Sequence, residues 1–245
     1  AQGSAYVFVR SGTGWTFQAK LVATDGAVSD LFGSAVALDG DTALIGAPGR
    51  DSTFGDDRGA AYVFTRSGIS WTQRAKLTAA EGAANDAFGA KVALRGDTAL
   101  IGAPFSDSTA NGDQGAAYIF TGSGAAPNTT WTQRLRLTAS DGAANDRFGD
   151  AVALDATTAL IGKTGGIGAA YVFTGSGATW AFQQKLTASD GAAFDFFNGA
   201  VALSGDTAAL GAPGANSARG ALYVFNRVGA MWTQQAYIKA SNSEG

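Results

Sequence analysis

Short apolar runs alternate with glycine-rich polar segments along the chain. In one stretch, the apolar runs at 36–38 and 42–46 flank Asp39-Gly40-Asp41. Two such runs that flank a two-residue turn of the Asp-Gly type predict a β-hairpin. Glycine interrupts every longer window, and no stripe with the 3.6-residue period of a helix is sustained. The pattern therefore predicts short strands rather than helices.

Two more strands are predicted after this hairpin. In residues 60–66, the alternation places Tyr62 and Phe64 on one face and Val63 on the other. The next segment, 71–77, is predicted to be a strand with Trp71, Gln73, Ala75 and Leu77 on one face. That face carries both apolar and polar side chains. Such a mixed face suits an outer strand.

The whole pattern is an internal repeat. The hairpin stretch occurs at 32–48, 88–104, 148–164 and 197–213, and the aromatic strand at 59–64, 115–120, 168–173 and 220–225. The aromatic strand also occurs near the N-terminus, and its tyrosines lie 52 to 56 residues apart at Tyr6, Tyr62, Tyr118, Tyr171 and Tyr223. A repeat of this length indicates one supersecondary unit that buries its faces against its neighbours.

The predicted fold is all-β, a propeller-like array of four-stranded antiparallel blades. Small residues in the first two strands suit the crowded inner edge of a blade, and the aromatic side chains are expected between blades. The chain reads as a single domain, 1–245, with an N-terminal half repeat at 1–26 and four full repeats at about 27–82, 83–142, 143–191 and 192–245.

Phe32-Gly33 with Gly46-Ala47-Pro48, and Phe88-Gly89 with Gly102-Ala103-Pro104, resemble the signatures of FG-GAP repeats. Those repeats build the seven-bladed propeller of integrin α subunits and occur in many bacterial extracellular proteins. The resemblance implies a secreted or surface-displayed binding module, often calcium-bound and often without catalysis.

The chain departs from that family pattern in two ways. Integrin-like repeats carry a calcium loop between the first two strands, whereas here the interval is short, at 38–43, 94–99, 154–159 and 203–208. Calcium takes about six to eight oxygen ligands, so we expect no calcium there. The second departure is the number of repeats, which is four and a half rather than seven.

The composition of the chain excludes several kinds of partner and catalytic site. The net charge is −3 with no basic stripe, so nucleic acid is not an expected partner. No run of 18 apolar residues occurs, and no membrane insertion is expected. Cysteine and histidine are both absent, which excludes disulfides, thiolate zinc sites, cysteine nucleophiles and Ser-His-Asp triads.

Arg95-Gly96-Asp97 allows two interpretations. The tripeptide can be an adhesive ligand for cell-surface receptors, or simply the turn of a hairpin. Asp39-Gly40-Asp41 and Ser204-Gly205-Asp206 occupy the equivalent position, and Gly-Asp there has the chemistry of a turn. We favour the turn, although a tight exposed turn also presents the tripeptide well.

Paired carboxylates recur in the linkers between repeats, as Asp25 with Asp30, Glu81 with Asp86, Asp141 with Asp146, and Asp190 with Asp195. Such pairs can do acid–base chemistry or bind a metal ion. A catalytic site is needed only once, however, so their recurrence in every linker favours a structural role in turns and amide capping.

The loops after the second strand differ most between repeats, at 49–59, 105–115, 165–168 and 214–220. The first two contain candidate oxygen ligands for calcium: Asp51, Asp56, Asp57, Asp107 and Asp113. Solvated loops have the same composition, so both interpretations stay open. An insert in the third tryptophan segment carries Asn128-Thr129-Thr130, an N-glycosylation pattern.

These observations predict a non-catalytic extracellular interaction or adhesion module that presents variable loops. Its expected partners are a protein, a glycan or a matrix ligand, with no required cofactor and calcium as a possible ligand. The first alternative is a structural segment of an adhesin or filament, assembled head to tail from its own copies. Segment 1–21 favours it, because this half repeat has only the aromatic and tryptophan strands. The second alternative is a carboxylate-dependent carbohydrate-active enzyme.

Overall fold

In a computed structural model, the protein is built from β-sheets joined by linkers and loops. The structure describes residues 1–50, 56–107, 112–124, 129–192, 195, 197 and 199–241. Apart from one short helix, α1 (Ala215–Ala218), the regular elements of these residues are strands. The all-β prediction is confirmed.

The strands form one two-stranded sheet and four four-stranded sheets, each antiparallel throughout. The half sheet contains β1 (Ala5–Ser11) and β2 (Gly14–Leu21). Sheet 1 contains β3 (Ala35–Asp39), β4 (Thr42–Ala47), β5 (Ala60–Ser67) and β6 (Ser70–Leu77). Sheet 2 contains β7 (Lys91–Arg95), β8 (Thr98–Ala103), β9 (Ala116–Ser123) and β10 (Thr130–Leu137).

The last two sheets repeat this order. Sheet 3 contains β11 (Ala151–Leu154), β12 (Thr158–Lys163), β13 (Ala169–Ser176) and β14 (Thr179–Leu186). Sheet 4 contains β15 (Ala200–Ser204), β16 (Thr207–Ala212), β17 (Ala221–Val228) and β18 (Met231–Ile238). The first strands of successive sheets contact one another. The sheets are arranged as propeller-like blades that do not close into a ring.

The first two strands of a sheet form the predicted tight hairpin in three of the four units. Their turn glycines, Gly40, Gly96 and Gly205, have nearly the same left-handed φ of 55°, 56° and 55°. The third unit differs, because the sequence has Ala156 where the others have glycine. There the pairing ends at Leu154 with Ala159, and the Asp155 amide donates to the Thr158 carbonyl. The third hairpin is therefore paired over a shorter length than the other three.

The last strand of each sheet contains a bulge. In sheet 1, Val63 pairs with Ala75 and Phe64 pairs with Gln73. Arg74 lies between them as an extra residue of β6 that is opposite no residue of β5. Since one extra residue reverses the alternation of faces, Trp71 packs toward the half sheet, whereas Ala75 and Leu77 pack toward sheet 2. The prediction of one shared face for 71–77 is wrong for this reason.

The core consists of layers between successive sheets. Each sheet has a leading face, which carries its tyrosine and phenylalanine rings and packs on the sheet before it, and an aliphatic trailing face. Between sheets 1 and 2, the trailing face includes Leu44 and Val63, and the leading face includes Ile101, Tyr118 and Phe120. All five side chains are almost completely buried, as the sequence predicts for the aromatic residues. Trp71 and Trp131 are only half-buried.

The phenylalanine of each Phe-Gly pair packs on the aromatic strand of its own repeat. Phe88 lies 5.4 Å from Tyr118 and 5.9 Å from Phe120, measured between ring centroids. The preceding linker is held by a parallel bridge between Phe88 and Gly59 of the previous sheet. Gly59 has a φ of 85°, and a Cβ there would overlap the Phe88 backbone, so this junction requires glycine.

Candidate functional site

The hairpin turns of neighbouring sheets are joined by ionic contacts around Arg95. Its guanidinium lies 3.8 Å from the Asp39 carboxylate on one side and 3.6 Å from that of Asp155 on the other. The Gly96 amide also donates to Asp39 at 2.5 Å. In the next junction, the Gly205 amide donates to Asp155 at 2.8 Å. Through these contacts, Arg95 of sheet 2 joins the hairpin turns of sheets 1 and 3.

Asp97 differs from the equivalent aspartates of the other turns. Asp41 and Asp206 accept ion pairs from Arg66 and Arg227, at 2.5 and 2.7 Å. The position of those arginines is occupied by Gly122 in sheet 2. Asp97 is exposed, and its carboxylate makes no ion pair within the part of the chain that the structure describes.

The first carboxylate of a linker binds the tyrosine of the following sheet. The hydroxyl groups of Tyr62, Tyr171 and Tyr223 donate to Asp25, Asp141 and Asp190, at 2.9, 2.5 and 2.9 Å. Lysines add ion pairs to two of these aspartates, Lys76 to Asp25 at 2.7 Å and Lys185 to Asp141 at 2.6 Å. These carboxylates join a linker to the next sheet.

The same contacts shift the ionisation of both partners. Burial opposes the charged form of Asp25, but the hydrogen bonds from Lys76 and Tyr62 outweigh it and lower the pKa of Asp25 to about 2. Hydrogen bonds from Lys185 and Tyr171 likewise lower the pKa of Asp141 to about 2. Burial, together with the nearby carboxylate, raises the pKa of Tyr62, Tyr171 and Tyr223.

Glu81 has a different partner from the other first carboxylates. Its side chain accepts a hydrogen bond from the Gln133 amide at 2.8 Å. Tyr118, which is the tyrosine of that unit, instead accepts a hydrogen bond from Arg136 at 3.3 Å. The longer glutamate side chain is therefore used in a contact with the tryptophan strand.

The second carboxylate of each linker caps a backbone amide three residues earlier. Asp30, Asp86, Asp146 and Asp195 accept from Ala27, Ala83, Ala143 and Ala192 at 2.7, 2.9, 2.7 and 2.8 Å. The first three are almost completely buried. Burial is the main cause of a raised pKa at Asp86. Each of these hydrogen bonds closes a turn within the linker.

Lys163 makes a buried ion pair that sequence reasoning missed. It replaces the alanine of the Gly-Ala-Pro signature in the third unit, and its ammonium group lies 2.7 Å from Asp146. Both side chains are more than four-fifths buried. The departure of 162–164 from the repeat pattern is the signal that marks this position.

The loop aspartates proposed as calcium ligands have backbone roles. Asp57 and Asp113 have left-handed φ values of 37° and 53°, and Gly166 and Ala218 have the same conformation at the equivalent positions. Aspartate is among the few side chains that tolerate it. The carbonyl groups of Asp57 and Asp113 accept hydrogen bonds from the next linker, at Ala87 and Arg147.

The other candidate ligands also have contacts. Asp56 pairs with Arg58 at 2.8 Å, and Asp107 accepts from the Asp113 amide at 2.6 Å. No group of three or more acidic side chains that could hold a metal ion is found among the residues the structure describes. Asp51 and Asn128 lie outside those residues. The calcium ligand at Asp51 and the glycosylation site at Asn128 therefore stay predictions.

A pocket of about 490 Å³ lies among the variable loops and linkers of the first two full repeats. Its wall includes Leu31, Pro48, Asp57, Asn85, Phe105 and Asp113; we call it the loop pocket. Phe105 is 36% exposed, and the Arg147 guanidinium lies 5.2 Å from the centre of its ring. In the other three units, glycine occupies this position, as Gly49, Gly165 and Gly214.

The chain matches the FG-GAP repeat family at residues 15–64, 71–120, 131–173 and 180–225, which is more than half of its length. The chain belongs to the FG-GAP repeat family. No curated protein matches it. Each FG-GAP match begins in the last strand of one sheet and ends in the third strand of the next, so the sequence repeat is offset from the blade.

FG-GAP repeats are typical of extracellular or surface proteins, and the family is typically non-enzymatic. The shared positions of these repeats lie in the sheet cores, the hairpin turns and the linker contacts described above. Among the residues that the structure describes, no helix is long and apolar enough to cross a membrane.

Proposed function

We propose that this FG-GAP repeat chain is a non-catalytic extracellular module that binds a partner at the loop pocket. The observation that carries the proposal is Phe105, a half-exposed aromatic side chain at a position where the other units have glycine. The repeat does not require an aromatic residue there, and exposed aromatic side chains are frequent anchors in binding sites.

The walls of the loop pocket suit an amphipathic ligand. Phe105 and Leu31 offer apolar contact, while Asn85, Asp57 and Asp113 bring polar and acidic groups to the same wall. Such a combination fits an exposed segment of a protein, a glycan or a matrix polymer. The calcium expected from the family remains a proposal for loop 49–59 or 105–115.

The test compares two substitutions, each to a residue that other units have at the same position. Immobilised glycans and extracellular-matrix proteins are screened with the wild type, with Phe105→Gly and with Ile69→Ala, a control at an exposed outer turn. The proposal expects binding to be lost or weakened at least about tenfold in Phe105→Gly alone. Equal binding by all three proteins would refute the loop pocket as the site.

A second candidate function is head-to-tail assembly, and the exposed apolar side chains of the half sheet and of sheet 4 favour it. The half sheet exposes Tyr6 and Phe8, the counterparts of buried leading-face rings. The trailing face of sheet 4 leaves Val224 and Leu222 only partly covered and Ile238 half exposed. Inside the array these two kinds of face pack together, and heterologous contacts of this type produce rings or filaments.

Light scattering tests the assembly. If the chain assembles, its mass in solution is expected to exceed the 24.6 kDa of one chain. Val224→Asp is expected to reduce the mass to that value, and Val228→Asp is expected to leave it unchanged. Val228 is the exposed last residue of β17 in the same sheet, so it is a matched control. A monomeric wild type at high protein concentration would exclude this function.

A further inference from the structure

A small pocket with cationic side chains in its wall lies beside the variable loop of the first full repeat. Its volume is about 140 Å³, and its wall includes Arg50, Arg58, Lys76 and Thr78; we call it the basic pocket. The described residues of this wall include no carboxylate. The volume is below the roughly 300–1,000 Å³ of pockets that enclose a whole small-molecule ligand. The basic pocket therefore suits a single chemical group rather than an entire ligand.

Two cations of the wall keep hydrogen-bond donors for a ligand. The Lys76 ammonium group donates to Asp25 at 2.7 Å. It has three N–H donors, and no second acceptor for it is found among the residues that the structure describes. The Arg58 guanidinium donates to Asp56 at 2.8 Å and to the Gly82 carbonyl at 3.3 Å. Within the described part of the chain, these bonds use two of its five N–H donors.

Two other wall residues add fixed positive charge and a hydroxyl group. The Arg50 guanidinium lies 3.3 Å from Asp25 and 3.6 Å from Asp30, and its side chain is only 20% exposed. Because its position is already fixed by the protein, Arg50 loses little freedom when a ligand binds. The exposed Thr78 side chain brings a hydroxyl group to the same wall. Positive charge combined with hydrogen-bond donors is what an anion requires.

The cluster of three cations is a departure from the repeat. Arg50 is the second residue after the Gly-Ala-Pro position, Arg58 precedes the glycine before the third strand, and Lys76 pairs with the tyrosine of that strand. Each of the other full repeats has a single cation at these three positions. The equivalent residues are Ser106, Gln114 and Arg136 in the second repeat, Gly166, Ile167 and Lys185 in the third, and Ala215, Arg219 and Tyr237 in the fourth.

The contact between the linker and the sheet does not require this cluster. In the third repeat, Asp141 accepts the hydrogen bond from the Tyr171 hydroxyl and pairs with Lys185 alone. The same contact therefore forms without the two arginines of the first repeat. Like charges that lie close together repel one another, and a bound anion would reduce this repulsion. The arginines therefore indicate a ligand rather than a need of the fold.

We infer that the basic pocket binds one tetrahedral oxyanion, the sulfate or phosphate group of an ester. Arg58, Lys76 and Thr78 donate hydrogen bonds to its oxygens, and Arg50 adds charge at the same wall. The planar fork of an arginine matches two oxygens of such a group. Donors from three side chains suit four tetrahedral oxygens better than the two oxygens of a carboxylate. This inference does not rest on the loop pocket and goes beyond the function proposed there.

The first experiment is a titration with free anions, followed by NMR. It records the backbone amide signals of Gly59 and Gly82, which belong to the pocket wall, as sodium sulfate or sodium phosphate is added. Sodium chloride at the same ionic strength is the reference, because screening by salt acts on every exposed charge. The expected result is a saturable change of both signals with sulfate or phosphate and none with chloride.

Two variants locate the binding. Arg58→Gln and Arg74→Gln each remove one exposed arginine and introduce the residue that another repeat has at that position, Gln114 and Gln183. Binding to Arg58→Gln is expected to be at least about tenfold weaker than to the wild type, and binding to Arg74→Gln unchanged. Arg58→Lys keeps the charge but not the fork, so its affinity is expected to lie between those of Arg58→Gln and the wild type.

Melting temperatures measured without anion show whether each variant is folded. If Arg58→Gln is unfolded, Arg50→Ser takes its place, because serine is the residue of the second repeat at this position. Binding to Arg50→Ser is likewise expected to be at least about tenfold weaker. Phe105→Gly is expected to bind the free anions as the wild type does. The fate of the loop pocket is therefore distinguishable from that of the basic pocket.

The second experiment identifies the source of the anionic group. Glucose 6-sulfate, glucose 6-phosphate and glucose are titrated into the wild type under the same conditions. The esters are expected to bind and to compete with the free anions, whereas glucose is expected not to bind. The ester that binds more tightly shows whether a sulfate or a phosphate ester is the natural group.

Three results would overturn the inference. One is a change of the amide signals that does not saturate with either anion. Another is equal affinity of the wild type and the folded arginine variants of the pocket. The third is an equal loss of affinity in Arg58→Gln and Arg74→Gln, since general attraction to surface charge would then explain the binding.

Discussion

At the scale of single residues, Asp25 and Asp141 are expected to control the response to acid. Both have folded-state pKa values of about 2, below the roughly 3.9 of an unfolded aspartate. Their stabilising contribution is therefore complete above about pH 4 and is lost as the pH falls toward 2. We expect the melting temperature of the wild type to fall steeply in this window.

The double variant Asp25→Asn, Asp141→Asn is the comparison for that prediction. It is expected to be less stable than the wild type at neutral pH, because the pairs with Lys76 and Lys185 are lost. Its melting temperature should depend less on pH between about 4 and 2. Parallel pH curves for the two proteins would contradict a role for these carboxylates.

Also at the residue scale, Arg95 and Asp97 bear on adhesion. The Arg95 guanidinium lies between Asp39 and Asp155, so presenting it to a receptor means breaking these contacts. We expect Asp97→Glu, which keeps the charge but lengthens the side chain, to leave attachment of cells to the immobilised protein unchanged. The control is Asp206→Glu in the equivalent turn of sheet 4. Attachment lost only in Asp97→Glu would establish the adhesive interpretation.

At the scale of elements, Gly59 tests the junction between a sheet and the next linker. Its left-handed φ and the overlap of a Cβ with the Phe88 backbone both oppose alanine. The control is Gly68→Ala in an outer turn, where the φ is 61° but a Cβ meets nothing within 4 Å. Strained backbone alone costs about 1–3 kcal/mol, so Gly59→Ala should lose more stability to urea than Gly68→Ala. Equal losses of stability would mean that the backbone at the junction moves to make room for the added Cβ without a further loss of stability.

The same scale shows why part of the fold followed from the sequence. Alternation and turn residues are local, so the hairpin around Gly96 and the aromatic strand around Tyr62 could be predicted. The bulge at Arg74 could not, because the apolar pattern continues through it. Nor could the distorted third hairpin, whose pairing changes where Ala156 replaces glycine.

The candidate site was less predictable, because it depends on contacts between sheets. The recurrence of Asp25 and Asp30 in each linker indicated a structural role, and their hydrogen bonds are of that kind. The contact of Arg95 with Asp155 depends on how sheet 2 faces sheet 3, which no spacing along the chain contains. Phe105 was visible as a departure from the repeat, but its place in a pocket was not.

At the scale of the whole molecule, the same substitution is expected to cost different amounts of stability at equivalent positions. The cost depends on how completely neighbouring sheets cover the side chain. Phe120 and Phe8 occupy the same place in the aromatic strand, but Phe120 is buried between two sheets and Phe8 is half exposed on the half sheet. Phe120→Ala is expected to cost about 3–5 kcal/mol in free energy of unfolding, and Phe8→Ala less than about 1 kcal/mol. Urea denaturation of the monomeric protein measures both. An equally large loss in Phe8→Ala would contradict the prediction, because the half-exposed ring of Phe8 has little packing to lose.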